Sequence, residues 1–177
     1  MEGGEATVEE VTLKNGVFER YYVDLTYSIC GCALKREGDK IIFSFSRGDI
    51  DKRGEDDYTS DLVMGPTLTD FLHTRWNELL SGGTIYFHLP AMTLQRIARF
   101  QIRKLDDSPY ARKGVVVLKM DVANIFLRLL VAPVELVYDL QTKRLLEIHG
   151  KSLLKRKVNG KTQNPIVDIY YRYERSV

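Results

Sequence analysis

The sequence predicts a mainly β fold of the α+β class. We expect a curved, mostly antiparallel half-barrel sheet of about nine strands, wrapped around one amphipathic helix and accompanied by a second short helix. Three observations predict this fold. One long helical segment lies near the middle of the chain, runs of alternating polar and apolar residues fill most of the remainder, and turn signals separate these runs closely enough for antiparallel pairing.

The length and composition of the chain fit one domain. At 177 residues the chain can bury a core without disulfides or a metal, and we expect a polar N-terminal lead at residues 1–19 and a single half-barrel domain at residues 20–177. The net charge of +2 gives no general reason to expect nucleic acid as a partner. No run of about 18 apolar residues occurs, so no membrane-spanning helix is predicted. The N-terminal stretch MEGGEATVEE is acidic and lacks the basic and apolar regions of a signal peptide.

The central segment carries clear helix start and stop signals. Thr67 is the expected N-cap, with Asp70 three residues later as the acidic partner of a capping box, and Gly82 and Gly83 mark the C-terminal end. A helix is therefore predicted at residues 68–80. Its apolar face consists of Leu68, Phe71, Leu72, Trp76, Leu79 and Leu80, at helical spacing. Trp76, the single tryptophan, is expected to anchor this face in the core or, alternatively, to line a ligand cavity.

The N-terminal part predicts strands and one charged loop. Residues 1–15 are expected to be loosely held or to form a short edge strand. Residues 26–36 and 40–47 predict a hairpin closed by Gly38, through either a Glu37-Gly38 or a Gly38-Asp39 turn. Residues 48–57 predict an exposed loop, because they are highly charged and contain glycine; their five acidic residues suggest calcium as an alternative, but the spacing departs from the EF-hand pattern. Residues 58–64 predict the strand that leads into the helix.

The two cysteines, Cys30 and Cys32, lie on the same face of a predicted strand. A disulfide between them would be strained, since an extended backbone holds their Cα atoms near the limit for a bridge. We expect small buried side chains, with metal binding and redox chemistry as the alternatives.

The C-terminal part predicts a meander. Strands are expected at residues 84–90, 98–105 and 114–122, and residues 91–97 fit one or two helical turns. A second short helix is predicted at residues 125–131, where Pro133 ends it. Strands then follow at residues 133–139, 144–155 and 164–174, and the last two are joined through the Asn159-Gly160 turn signal.

A two-residue Asn-Gly turn would fix the register of this last hairpin. Val158 would face Lys161, and the apolar pairs would be Ile148 with Tyr171 and Leu146 with Tyr173. On the other face the register places Glu147 opposite Arg172 and Lys151 opposite Asp168. Two opposite-charge pairs that the turn alone does not impose favour this register.

The order of elements carries a resemblance. A strand, the segment GPTLTDFLHTRWNELLSGGTIYFHLP, paired strands, a short helix, PVELVYDLQTKRLLEIHG and a final hairpin together resemble uncharacterised bacterial cell-envelope proteins, which are similar in layout to the periplasmic lipoprotein-carrier superfamily. The resemblance covers roughly residues 20 to 175. It implies a half-barrel that shelters acyl chains, a periplasmic or cell-envelope location and a signal peptide removed on maturation. It transfers no functional residues.

Candidate site residues follow from the expected helix-on-sheet packing. The ligand-cavity candidates are Phe71, Leu72, Trp76, Phe87, Ile148 and Tyr171. The acid/base candidates are His88, Glu147 and His149, because the proposed register places His149 beside Glu147, Arg172 and Tyr170. A cross-strand salt-bridge patch is the alternative for this group, and His73 is expected at the surface. No spacing typical of a metal site, a nucleotide loop or a nucleophile elbow occurs, so no catalytic set, metal or cofactor is predicted.

Basic residues cluster around the Asn-Gly turn, where Lys151, Lys155, Arg156, Lys157 and Lys161 occur without an acidic residue among them. They fit either protection of a strand edge or contact with anionic lipid headgroups, whereas nucleic acid is an unlikely partner. We expect a non-enzymatic binder or carrier of a lipid or another apolar ligand. The alternatives are a small cofactor-free enzyme for proton transfer or rearrangement, and a structural or adaptor protein with an envelope protein as partner.

Overall fold

The computed structural model describes residues 7–25, 30–47, 49–124, 132–151, 156–158, 161–163 and 166–173. The chain forms two compact units. The first consists of Met1–Phe71 and Phe87–Ala98, and the second of Leu72–Tyr86 and Arg99–Val177. The fold is mainly β, as the sequence predicts, with antiparallel sheets of five and six strands, a two-stranded sheet and two short helices.

The five-stranded sheet follows chain order. Its strands are β1 (Thr7–Lys14), β2 (Val17–Leu25), β3 (Cys30–Glu37), β4 (Lys40–Arg47) and β5 (Ile50–Asp57), and each is antiparallel to the next. β1 is an edge strand, which confirms one of the two alternatives for residues 1–15. A core forms from Phe18, Tyr21, Val23, Cys32, Leu34, Ile41, Phe43 and Met64. Cys32 is buried, as expected for a small core side chain.

The hairpin between β3 and β4 has the Gly38-Asp39 form of the predicted turn. Glu37 pairs with Lys40, and Gly38 adopts a φ of +62°, which the absence of a side chain permits. Cys32 lies opposite Phe45 and Leu34 opposite Phe43, so alternate apolar residues of both strands share one face.

Two predictions for the next segment are wrong. Residues 50–57 form strand β5 instead of a loop, because the open edge of β4 supplies backbone partners along its whole length while most of the charged side chains remain in solvent. The predicted strand at residues 58–64 is a turn with a single parallel bridge between Leu62 and His88. The acidic residues are partly paired, since Asp57 binds the Lys40 ammonium at 2.7 Å.

The central segment contains two short helices. A 3₁₀ turn at Gly65–Thr67 leads into α1 (Leu68–Thr74), and α2 (Trp76–Leu80) follows after a break at Arg75. The backbone N–H of Arg75 bonds to the carbonyl of Leu72, three residues back, which tightens the turn at a position with neither glycine nor proline. The predicted single helix at residues 68–80 is therefore wrong in its continuity.

The first α-helical residue, Leu68, and the end of the helical segment are as predicted, whereas the predicted N-cap at Thr67 is wrong. Met64 is the N-cap of the 3₁₀ turn, and the Thr67 hydroxyl receives a hydrogen bond from the Met64 N–H at 3.1 Å. At the other end Gly82 has a φ of +88°, and its N–H bonds to the Leu79 carbonyl. Leu72, Trp76 and Leu79 of the predicted apolar face are buried, whereas Leu80 is 37% exposed.

The six-stranded sheet contains β6 (Thr84–Ala91), β7 (Arg96–Lys104), β8 (Val115–Val122), β9 (Val134–Asp139), β10 (Leu145–Lys151) and β13 (Ile166–Tyr170). Their order is β13-β10-β9-β8-β7-β6, so β13 is the terminal strand. A 3₁₀ turn at Met92–Leu94 precedes β7, in agreement with the helical turn predicted there. The helix predicted at residues 125–131 lies outside the described residues.

The last hairpin confirms the predicted pairing of Val158 with Lys161 and corrects the register further along. Strands β11 (Arg156–Val158) and β12 (Lys161–Gln163) pair Val158 with Lys161, as predicted. Further along, however, Ile148 faces Ile169 instead of Tyr171, and Glu147 faces Tyr170 instead of Arg172.

The corrected register also separates the second predicted charge pair, because Lys151 faces Ile166 instead of Asp168. Val158 is seven positions after Lys151, whereas Ile166 is only five positions after Lys161, so the register changes by two residues between these two pairs. A slip of two keeps every side chain on its predicted face, so the alternation of polar and apolar residues cannot reveal it.

Candidate functional site

The most closely connected polar group in the second unit centres on His149. His149 lies on β10, between Glu135 on β9 and Asp168 on β13 in the backbone register. Its Nδ1 is 2.7 Å from a carboxylate oxygen of Asp168, and its Nε2 is 2.8 Å from a carboxylate oxygen of Glu147. The side chain is only 4% exposed. A buried imidazole thus contacts two carboxylates through its two nitrogens.

Two aromatic rings enclose this imidazole. The ring of Tyr110 stacks on His149 with the centroids 3.6 Å apart and the planes 5° from parallel, and Tyr170 meets it edge-on at 5.9 Å. We call these residues, Tyr110, Glu147, His149, Asp168 and Tyr170, the His149 cluster. Stacking with a cation is favourable on the electron-rich face of a tyrosine.

The loop between β7 and β8 brings Tyr110 into place. The Ser108 hydroxyl donates to a carboxylate oxygen of Glu135 at 2.6 Å and accepts the Tyr110 backbone N–H at 3.1 Å. Ser108 is buried, and Pro109 separates it from Tyr110. The sequence SPY therefore anchors the loop to β9 and fixes the tyrosine over the histidine.

Arg112 completes the charge arrangement. Its guanidinium forms an ion pair with the Glu147 oxygen that does not contact His149. Glu147 thus accepts charged hydrogen bonds on both of its oxygens. Such bonds are about twice as strong as those between neutral groups.

These contacts shift the pKa of His149 and of Glu147 in opposite directions. Burial alone lowers the pKa of His149, but the hydrogen bonds and negative charges of Asp168 and Glu147 outweigh burial and hold it above its ordinary value. Burial alone raises the pKa of Glu147, but the hydrogen bonds from His149 and Arg112 outweigh it and hold it below its ordinary value. Both shifts favour an imidazolium beside a carboxylate.

The chemistry of this arrangement follows from the number of donors. An imidazole donates through both nitrogens only when it is protonated. In that state His149 offers no lone pair to a substrate, so the cluster stabilises the junction of β10, β13 and the loop at residues 105–114. This outcome corresponds to the salt-bridge patch that the sequence left as an alternative to acid/base chemistry.

His88, in the first unit, is held differently. Its Nδ1 is 2.8 Å from a carboxylate oxygen of Asp61, whose same oxygen accepts the Thr59 hydroxyl. Two backbone hydrogen bonds, Val63 N–H to the His88 carbonyl and His88 N–H to the Asp61 carbonyl, fix the pair. The pKa of Asp61 is lowered because hydrogen bonds from Thr59 and His88 outweigh the effect of burial.

The second nitrogen of His88 distinguishes it from His149. Within the described ranges Nε2 has no hydrogen-bond partner, and the side chain is 27% exposed. A carboxylate that fixes one imidazole nitrogen leaves the other with a defined direction. His88 is therefore the sequence-predicted acid/base candidate whose geometry leaves a nitrogen available.

The helical residues from Leu72 onward belong to the second unit, where Trp76 lies in a packed region. The rings of Trp76 and Tyr138 meet edge-on at 5.7 Å, and both are buried. His73, which the sequence places at the surface, is half-buried instead, with Nε2 2.7 Å from the Lys143 carbonyl. A cleft of about 160 Å³ lies beside these residues and is lined by His73, Thr74, Arg75, Trp76, Asn77, Glu78 and Lys143. It is polar and smaller than the roughly 300 Å³ at which pockets for drug-sized ligands begin.

Of the remaining cavity candidates, Phe71 and Phe87 belong to the first unit, and Ile148 and Tyr171 belong to the second. Phe71 and Phe87 contact each other with their ring centroids 5.4 Å apart, and Phe87 is buried. Ile148 is half-buried on β10, whereas Tyr171 is 42% exposed after the end of β13. The side chains at residues 152–165, including four of the five basic residues at the Asn-Gly turn, lie outside the description.

The sequence identified Glu147, His149 and Tyr170 of the His149 cluster and missed Asp168 and Tyr110. It placed Glu147 and His149 together, because residues two apart on a strand share a face. It missed Asp168 through the register slip, and it missed Tyr110 because a loop residue about 40 positions away carries no periodic signal. Asp61 was hidden by the predicted strand at residues 58–64, where a turn brings the carboxylate to His88.

Comparison with known proteins adds no identity. No family model, curated protein or solved structure matches this chain. Within the described ranges, no group of three or more histidine, cysteine, aspartate or glutamate side chains is placed to hold a metal ion. The helices that the structure describes include none with the length and apolarity needed to cross a bilayer. Fold and site define the class as a mainly β protein with an internal ion-paired histidine.

Proposed function

We propose that the protein is a non-enzymatic, lipid-binding protein of the cell envelope. The observation that carries the proposal is the exposed apolar and aromatic surface of β13, which directly follows the basic hairpin. Ile166 is 75% exposed and Tyr170 is 65% exposed. Residues 151–163 contain five lysine or arginine residues and no acidic residue. Basic side chains next to tyrosines are typical of surfaces that contact anionic lipid headgroups.

The electrostatic part of this proposal has a defined size. Each lysine or arginine near an anionic bilayer contributes about 1 kcal/mol, so five of them give appreciable binding without a spanning segment. The attraction is screened within roughly 10 Å at moderate salt, so binding should fall as salt concentration rises. The whole chain carries a net charge of +2 and this segment carries +5, so the remainder is net negative and the attraction comes mainly from this segment.

Vesicle sedimentation tests the proposal. We expect the protein to sediment with phosphatidylcholine vesicles that contain phosphatidylglycerol and to remain in the supernatant with phosphatidylcholine alone. The double variant Lys157→Glu/Lys161→Glu should bind at least ten-fold more weakly. The control Arg103→Glu/Lys113→Glu changes the net charge equally at exposed positions and should bind like the unmodified protein. Equal binding of both double variants, or no binding to anionic vesicles, would contradict the proposal.

The half-barrel and its apolar cavity belong to the same proposal. A carrier would accommodate acyl chains between helix and sheet, near Leu72 and Trp76. Because Trp76 and Tyr138 are in ring contact, an acyl chain at this point would have to displace that contact. Native mass spectrometry of the purified protein, with Trp76→Phe as the comparison, should then detect bound lipid whose amount changes in the variant. A lipid-free mass under gentle conditions would leave surface binding as the only form of the proposal.

A proton-transfer enzyme is the second candidate, and the His88–Asp61 pair favours it. A carboxylate-oriented imidazole with an available Nε2 is the arrangement of a general base. Deuterium incorporation at the α-carbon of a small ketone, followed by NMR, measures this activity. We expect exchange faster than with an equal concentration of imidazole, and loss of that excess in His88→Gln. An equal rate in His88→Gln would exclude the role.

A further inference from the structure

We propose that the open edge of β13 pairs antiparallel with β13 of a second copy of the chain, about a two-fold axis at Tyr170. The inference goes beyond lipid binding and catalysis, and it concerns the same exposed strand that carries the lipid proposal. It rests on the direction of the backbone groups of β13, on the exposure of its side chains and on the charges that this register brings together.

β13 is the terminal strand of its sheet, and β10 covers one of its edges; among the strands that the structure describes, none pairs with the other edge. The N–H of Tyr171 bonds to the carbonyl of Leu146 at 2.9 Å, so the odd-numbered residues direct their backbone groups towards β10. Backbone groups alternate along a strand, so those of Ile166, Asp168, Tyr170 and Arg172 point away from β10, towards the open edge.

The side chains of β13 favour pairing with another strand. Four of the five residues of β13 are exposed, among them the apolar residues Ile166 and Ile169. Neither lysine nor proline occurs from Ile166 to Tyr173, although these are the residues that usually protect an edge from pairing. The edge therefore has the features of a strand that accepts a partner.

The positions of opposite charges along the strand fix the partner and the register. A two-fold axis that relates two antiparallel strands can pass between the two copies of one residue. Residues whose backbone groups point to the open edge then lie opposite residues of the same kind. An axis at Tyr170 puts Asp168 of each copy opposite Arg172 of the other, which forms two opposite-charge pairs. An axis at Asp168 or Arg172 puts like charges together, and an axis at Tyr171 puts Asp168 opposite Glu174. An axis at Ile169 forms no opposite-charge pair.

Asp168 and Tyr170, which this register pairs across the axis, are exposed on one face of β13. Asp168 is 47% exposed although one of its oxygens contacts His149, so its second oxygen can meet a guanidinium. Tyr170 would lie directly opposite its own copy, and cross-strand aromatic pairs stabilise antiparallel strands. Asp168 and Tyr170 both contact His149, which confirms that they share a face.

The partner is a second copy of this chain because the strand is self-complementary in this register. The test is the oligomeric state. Sedimentation velocity over a concentration series should show a monomer–dimer equilibrium for the full chain. Arg172→Glu places a glutamate opposite Asp168 at both ends of the pairing and should raise the dimer dissociation constant at least ten-fold. Lys113→Glu, which makes the same charge change at an exposed loop position, should leave it unchanged.

Cross-linking tests the register itself. Tyr170→Cys should form an intermolecular disulfide on mild oxidation, because each cysteine faces its own copy. Ile166→Cys should not, because the two cysteines would lie at opposite ends of the paired strands. The unmodified protein is the control for any disulfide that the native cysteines form. A monomer at all concentrations, a dimer insensitive to Arg172→Glu, or equal cross-linking at positions 166 and 170 would overturn the proposal.

Discussion

In the part of the chain that the structure describes, His88 and His149 both contact carboxylates, and they differ in the contacts of the second imidazole nitrogen. In the second unit His149 is 4% exposed, and both nitrogens contact carboxylates. In the first unit His88 is 27% exposed, and only Nδ1 contacts one. The same residue types therefore form a closed structural ion pair in one place and an open, directed imidazole in the other. The contacts of the second nitrogen decide the role.

Removal of the imidazole should affect stability far more in the second unit. We expect His149→Ala to lower the free energy of unfolding by about 3 kcal/mol, because two charged hydrogen bonds and a stacked ring are lost together. His88→Ala should cost less than about 1 kcal/mol, since its ion pair is partly solvated. Urea denaturation monitored by Trp76 fluorescence measures both. Equal losses would mean that the two pairs do not differ in kind.

Removal of the carboxylate charge should also lower the free energy of unfolding more at Asp168 than at Asp61, but by a smaller amount than removal of the imidazole. Asp168→Asn keeps the shape of the side chain but replaces a charged acceptor of the imidazolium by a neutral one. We expect a loss of about 1–2 kcal/mol, against about 0.5 kcal/mol for Asp61→Asn. The same denaturation assay applies, and a larger loss for Asp61→Asn would reverse the comparison.

The pH dependence of stability should follow His149. Its folded pKa is raised, so the ion pair contributes fully below the ordinary histidine value of about 6.5 and is lost as the pH rises through the folded value. The free energy of unfolding should therefore decline from near-neutral towards alkaline pH. In His149→Gln this part of the decline should disappear. A variant that keeps the full pH dependence would assign it to another group.

Chemical modification offers the mildest test of the comparison. Diethyl pyrocarbonate acylates an accessible, unprotonated imidazole nitrogen. In the native protein we expect modification at His88, whereas burial and ion pairing should protect His149 until the protein unfolds. Peptide mass mapping identifies the modified residue. Rapid native modification of His149 would contradict its closed geometry.

Periodicity and turn chemistry predicted much of the fold. A hairpin closed by Gly38, the strand from Thr84 and the Val158–Lys161 pairing follow from local signals, although the signals at Gly38 left two turns open. β5 was missed because an edge strand gains its stability from backbone pairing and tolerates charged side chains. The helix break at Arg75 has no local signal, since neither glycine nor proline marks it.

The candidate site was predictable only where its residues are close in sequence. Glu147 and His149 lie two apart on one strand, and their proximity follows from strand geometry. Asp168 depends on a register two residues away from the one that the charge pairs favoured, and Tyr110 depends on the fold of a loop. Opposite charges in register twice were a coincidence of the sequence, because exposed pairs of this kind contribute too little energy to set a register.

The protonation state of the His149 ring tests the account most directly. NMR of ¹⁵N-labelled histidine reports each ring nitrogen separately, and His149→Gln assigns the signals. At pH 7 we predict that both nitrogens of His149 carry protons and that its titration midpoint lies above the ordinary histidine pKa of about 6.5. A single protonated nitrogen at pH 7, or a midpoint below that value, would contradict the closed ion pair on which the comparison rests.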